Sequence, residues 1–112
     1  MLESTSSVRV VLTTASNVEE ADRMGRAVVE ERLAACATVI PGVQSIYCWK
    51  GALETSTEAM LLLKTGGDQL AELEARLQQL HSYETPEFLV LPVEAGSIAY
   101  LTWMSGNLGR LK

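Results

Sequence analysis

Basic residues, histidine, cysteine, proline and aromatics are all scarce in this chain of 112 residues. Nine Lys and Arg stand against fourteen Asp and Glu, a net charge of −5. Binding to nucleic acid needs Lys and Arg to displace phosphate counterions, so the acidic balance argues against that class of partner. The two cysteines, Cys36 and Cys48, are too few for a disulfide framework. On one extended strand they would lie roughly 40 Å apart, beyond disulfide reach, unless a turn at Pro41-Gly42 shortened the path. A Ser–His–acid triad would have to use the lone histidine, His81, and no serine sits in a Gly-x-Ser-x-Gly turn. Nothing in the sequence activates a Cys36–His81 pair. Lys64-Thr65-Gly66-Gly67 lacks the frame of a phosphate-binding loop, and there is no dinucleotide fingerprint. The expectation is a protein that is not an enzyme. Long apolar runs are missing too. Ala59 to Leu63 is five residues, far short of a membrane span. The first residues are polar, with an early acid at Glu3, unlike a secretory signal. Together these predict a soluble, cytoplasmic chain.

Hydrophobic residues make up 47% and charged residues 21%, values of an ordinary globular protein. The length fits one domain that buries roughly two-thirds of its unfolded surface. Residues 1–7 read as a loose tail rich in Ser and Thr, and 8–112 as a single domain. Val8 to Thr14 reads as a strand. Ser16 or Asn17 caps a helix with Glu19, Glu20 and Asp22 in its first turn. Its buried stripe is Ala21, Met24, Gly25 and Val28. Ala35 to Trp49 reads as one long strand with a bulge or bend at Pro41-Gly42. Lys50-Gly51 turns the chain, and Ala52 to Lys64 returns. Asp68 caps a second helix with a stripe of Leu70, Leu73, Leu77 and Leu80. Phe88 to Val93 is a strand in which Pro92 marks an edge or bulge. Ile98 to Met104 is a short, final helix.

The order strand, helix, strand, strand, helix, strand is the split βαβ double unit of an α+β, ferredoxin-like sandwich. Handedness and non-crossing connections favour a four-stranded antiparallel sheet with both helices on one face. The central hairpin is too long for that frame: its arms run to about thirteen residues, where a strand averages about five or six. It overhangs the sheet, and its outer half carries Ile46, Tyr47, Trp49 and Leu53. Free edge groups beside exposed aromatics call for a partner, so a homo-oligomer built through the hairpin is expected.

Several strings carry a resemblance. They are Glu31-Arg32-Leu33-Ala34-Ala35-Cys36-Ala37 with Ile40-Pro41-Gly42; Tyr47-x-Trp49-x-Gly51; Leu63-Lys64-Thr65; His81-x-Tyr83-Glu84-x-Pro86-Glu87; and Tyr100-Leu101-x-Trp103. In this order and spacing the chain resembles the CutA family, small proteins associated with divalent-cation tolerance. The resemblance spans nearly all of Val8 to Trp103. It implies a ferredoxin-like fold, a homotrimer in which the long hairpin joins a neighbour's sheet, and binding of copper or other divalent cations. The fold also resembles the PII signalling proteins, trimers that bind small effectors between subunits. The chain departs from the family pattern at Thr13, where some members carry cysteine, at Leu80, where some carry a second histidine, and at Ser82, where proline is usual. The first two departures remove candidate metal ligands.

Three residues are candidate ligands. His81 sits at a helix end, where imidazole suits copper or zinc, and a structural role against the helix dipole competes with that reading. Cys36 offers a soft thiolate, or is a small buried hydrophobe. Glu84 adds a carboxylate in the loop beside His81. A tight mononuclear site wants three or four protein ligands, so one histidine needs help from carboxylates, Cys36 or a second subunit. The alternative is a PII-like module holding a small molecule or anion between subunits. Tyr47, Trp49, Tyr83, Tyr100 and Trp103 would line it, with Lys64, Glu58 and Glu87 as polar groups.

Overall fold

Apolar, β-branched stretches form the strands, and the two stretches with 3.6-residue periodicity form the helices that cover them. The computed structural model describes residues 1–109. In chain order the elements are β1 (Leu2–Ser4), β2 (Val8–Ala15), α1 (Val18–Glu30), β3 (Cys36–Trp49) and β4 (Ala52–Gly66). A 3-10 turn (Gly67–Gln69) follows, then α2 (Leu70–Leu80), β5 (Leu89–Pro92), β6 (Ala95–Ser97) and α3 (Ile98–Gly106). The main sheet has the order β3-β4-β2-β5, and every neighbouring pair is antiparallel. This is the expected ferredoxin-like sandwich.

Alternation along the strands points Val11, Leu61 and Leu63 to one face. There they meet Ala21, Met24 and Val28 of α1 and Leu73 and Leu77 of α2 in a single buried cluster. All four residues of the α1 stripe are buried, whereas Leu70 and Leu80 at the ends of the α2 stripe are only partly covered. Gly25 is fixed by close approach: a Cβ there would stand 3.0 Å from the Ala37 Cβ on β3. Asn17 caps α1, its side chain accepting the Glu20 N–H at 2.8 Å. Asp68 caps nothing. It lies inside the 3-10 turn, and α2 starts without a side-chain cap.

The hairpin is as long as the sequence predicts. β3 and β4 pair from Cys36↔Lys64 to Trp49↔Ala52, with one shift of register between Ile40 and Val43. Pro41, which has no N–H to give a ladder, sits in that shift. The two-residue turn has Lys50 and Gly51 both in the left-handed region, φ 50° and 81°. Such turns match the right-handed twist of the flanking strands, and glycine takes the second position without a Cβ penalty. β2, however, pairs with β4 only from Val8↔Gly66 to Ala15↔Ala59. Beyond Ala59 the hairpin continues as two strands, with no third among the described residues.

Pro92 lies on an edge strand, opposite Arg9. The N-terminal segment expected to be a loose tail contains β1, which pairs with β6 at Leu2↔Ser97, Glu3↔Gly96 and Ser4↔Ala95. Arg32 adopts a left-handed conformation (φ 62°) just past α1. Its guanidinium donates to the Gly106 carbonyl at 2.7 Å, tying the end of α3 to the end of α1.

Leu73 is fully buried at the centre of the cluster. Leu73→Ala should lower the unfolding free energy by about 2–5 kcal/mol, read by urea denaturation at fixed protein concentration.

Candidate functional site

The site forms where β2 stops and the hairpin goes on. Thr14 and Ala15 close β2 opposite Met60 and Ala59. Glu58, the next residue outward on β4, has no β2 partner and lies nine-tenths buried at this branch point. The loop after α2 runs beneath it and brings His81, Tyr83 and Glu87 to the same place.

His81 is 9% exposed, and both of its ring nitrogens are engaged. Nε2 lies 2.7 Å from the Thr14 carbonyl, which can only accept, so this nitrogen carries the proton. Nδ1 then accepts the Tyr83 N–H at 3.0 Å. The two rings also stack at a tilt, with centroids 4.6 Å apart. The Tyr83 hydroxyl donates to Glu58 Oε2 at 2.6 Å. Burial and this bond to a carboxylate push the Tyr83 phenol above its ordinary value. Glu87 is raised too, first by burial and then by the negative charge of Glu58. Two carboxylates and a phenol thus share one corner. None of the side-chain ion pairs among the described residues involves Glu58 or Glu87.

A second carboxylate anchors the loop from behind. Glu20 Oε1 accepts from the Ser16 N–H at 2.9 Å and hydroxyl at 3.0 Å, and Oε2 accepts the Ser82 N–H at 2.9 Å. Burial alone would raise this carboxyl, but the donors on Ser82 and Ser16 outweigh it and hold the pKa at about 2. Glu20, Thr14 and Glu58 therefore grip three successive loop residues, Ser82, His81 and Tyr83. In the sequence Glu20 reads only as a first-turn acid. Its contact with Ser82 spans 62 positions, and no local signal announces it.

The three candidate ligands are not brought together in one chain. Glu84 follows Tyr83 closely but is exposed, held only through its carbonyl by Gln78. Cys36 is half-buried at the far end of β3, opposite Lys64 and 3.9 Å from the Thr38 hydroxyl. Lys64 is six residues along β4 from Glu58, about 20 Å away. Both cysteines are free thiols. Among the described residues no three His, Cys, Asp or Glu side chains are grouped to hold a metal ion. The polar residues expected to line a cleft also divide. Glu58 and Glu87 lie at the branch point, whereas Lys64 sits over the Tyr100 ring, 5.6 Å from its centroid, beside Trp103.

A split βαβ sandwich with an overhanging hairpin and an acid–phenol–imidazole corner defines a class of small α+β proteins. Comparison with known proteins assigns the family within it. The family model for the CutA1 divalent ion tolerance protein matches residues 9–107. The Divalent-cation tolerance protein CutA of Pectobacterium atrosepticum is 43% identical over 99 residues, covering 88% of this chain and 90% of that one. CutA from Synechococcus elongatus PCC7942 superposes with a TM-score of 0.94 at 41% identity, covering 97% and 96% of the two chains. A second structure of that protein, complexed with a Bis-Tris molecule, has a TM-score of 0.89 at 40% identity, covering 96% and 100%. This chain belongs to the CutA1 divalent ion tolerance family.

The Glu20 carboxyl is lowered from 4.5 to about 2 on folding, so its contribution to stability is complete above pH about 4.5 and fades as pH falls towards 2. Glu20→Gln should remove that share of the acid-side loss. Unfolding midpoints between pH 2 and 6 check it: the two proteins' profiles should converge at the acid end and separate towards pH 6.

Proposed function

We propose that this protein serves divalent-cation tolerance as a homotrimer joined through the β3–β4 hairpin, binding divalent cations, copper foremost, where subunits meet. The observation that carries this reading is the two-stranded overhang. Ile46, Trp49 and Leu53 are 65%, 60% and 73% exposed on a hairpin with no third strand. A lone two-stranded ribbon is marginal in water, and an apolar ribbon edge invites pairing. The main sheet ends in β3 on one side and β5 on the other, and β5 exposes Leu89, Val90 and Leu91. Two different open edges favour head-to-tail contacts, which close into rings.

Assembly also answers the scattering of the ligands. Cys36 lies on the open edge strand and Glu84 on an exposed loop, so both are available to groups from a neighbouring chain. Imidazole, thiolate and carboxylate together suit copper or zinc better than magnesium or calcium. His81 joins such a set only by giving up one of its two hydrogen bonds.

A second reading is a PII-like trimer that holds a small molecule or anion between subunits. The Bis-Tris molecule in the Synechococcus elongatus CutA complex favours it, as does the aromatic and acidic corner of Tyr83, Glu58 and Glu87.

Three measurements test these readings. Ile46→Asp with Trp49→Asp should convert a trimer into monomers by light scattering, and a wild-type monomer would end the trimer reading. Calorimetric titration with copper should show saturable binding that Cys36→Ser weakens and His81→Ala abolishes. If copper shows no binding and a small-molecule screen raises the melting temperature, the second reading replaces the first.

A further inference from the structure

We propose that the groove between α1 and β3 is a socket for a second copy of this chain: the neighbour's β5 adds antiparallel to the open edge of β3, and its Val90 side chain fills the groove. The proposal rests on the head-to-tail ring proposed above and names where its sheets join. Each of the four strands of the main sheet is antiparallel to the next, so the two edge strands, β3 and β5, run in opposite directions. A rotation axis along the strands keeps those directions. It brings β5 of one copy antiparallel to β3 of the next, with the helix-covered faces on the same side. It also keeps each residue at its height. Ala37, Leu63, Val11 and Val90 stand in one row across the sheet, so the neighbour's Val90 arrives beside Ala37.

The backbone at both edges suits this row. In an antiparallel ladder alternate residues turn their N–H and C=O groups to opposite sides. The Val93 N–H donates to the Val8 carbonyl on β2 at 3.2 Å, so Leu91 and Leu89 also face β2, and Val90 faces the open edge. By the same alternation along the row, Val11 faces β4, Leu63 faces β2 and Ala37 faces the open edge of β3. The two residues that meet are therefore the two with backbone groups to offer. Prolines bound the window on either side. Pro92, one row past Leu91, has no N–H for a neighbour, and Pro41 sits in the register shift after Ile40. The side chains agree. Val90 shares the helix face with the buried Val11, yet is 39% exposed. At the other edge a groove of about 370 Å³ is lined by Gly25, Val29, Ala37 and Val39, with the Arg26–Asp22 ion pair beside them. Filling it covers apolar surface on both copies, and the contact is continuous with the ribbon on the outer half of the same strand.

The test is an oxidative cross-link. Cys36→Ser and Cys48→Ser remove the native thiols, and Ala37→Cys and Val90→Cys are placed in the same chain. Opposed residues of a hydrogen-bonded row stand about 5.5 Å apart, Cα to Cα, within disulfide reach. Within one chain the two positions are three strand spacings apart, roughly 14 Å, and cannot pair. Oxidation should give covalent trimers that reduction returns to single chains on a denaturing gel. In a dilution series read by light scattering, Val29→Arg in the groove should dissociate at about tenfold higher concentration than wild type. Val18→Arg, exposed on the same helix outside the groove, should behave as wild type. A wild-type trimer whose folded cysteine variant gives no covalent product overturns the socket and leaves the trimer reading standing. A wild-type monomer overturns both and leaves the open edge of β3 to a strand of another protein. If the cysteine variant fails to fold, the dilution series decides: equal dissociation of wild type and Val29→Arg overturns the socket.

Discussion

The structure depends on a mismatch of length between two paired strands. β4 has fifteen residues and β2 has eight, so only half of β4 can be flanked on both sides. Over Ala59 to Gly66 the strand is central, and its inward side chains are dry. From Ala52 to Thr57 it is one arm of a mostly exposed two-stranded ribbon paired with β3. The same strand therefore belongs to a core at one end and to an exposed ribbon at the other.

Glu58 stands at the change of regime, and the buried corner follows from that position. A carboxylate one residue past the end of β2 loses water while keeping a ladder neighbour, Val43 on β3, on one side only. Burying a charge without a hydrogen bond is costly, and the Tyr83 hydroxyl supplies one. That fixes where the loop after α2 must run. The loop in turn is held by groups from two other elements, Thr14 on β2 and Glu20 on α1. Three elements meet in the corner, and it is acidic because Glu58 and Glu87 form no ion pair among the described residues.

Most of the fold is legible in the sequence because it is written in local periodicity. The α1 stripe of Ala21, Met24, Gly25 and Val28, the hairpin turn at Lys50-Gly51 and the irregularity at Pro41-Gly42 are each encoded within a few positions. β1 is not legible: Leu-Glu-Ser has no strand character, and its pairing with β6 joins residues more than ninety positions apart. Asp68 misleads because a 3-10 turn uses the same residues as a helix start. Of the site, the residue types are readable and their relations are not. His81 stands out as the lone histidine, but nothing near it in sequence shows that both nitrogens are engaged by Thr14 and Tyr83. Cys36 and Glu84 are plausible donors by chemistry alone, and only the sheet register reveals how far Cys36 lies from the loop.

The hairpin also sets a sequence of events in time. Its turn is two residues long and its contacts are local, so it can zip from Lys50-Gly51 within about 1–10 μs. Pairing of β2 with β4 closes a loop of some forty residues around α1 and β3 and comes later. In the proposed trimer, contact with another chain would be slower still and would depend on concentration. Between the first step and the last, the ribbon carries Ile46, Trp49 and Leu53 uncovered in solution. In the assembly proposed above, a dilute chain would pass through that interval slowly, and its yield of native protein would be governed by how soon it meets another of its kind.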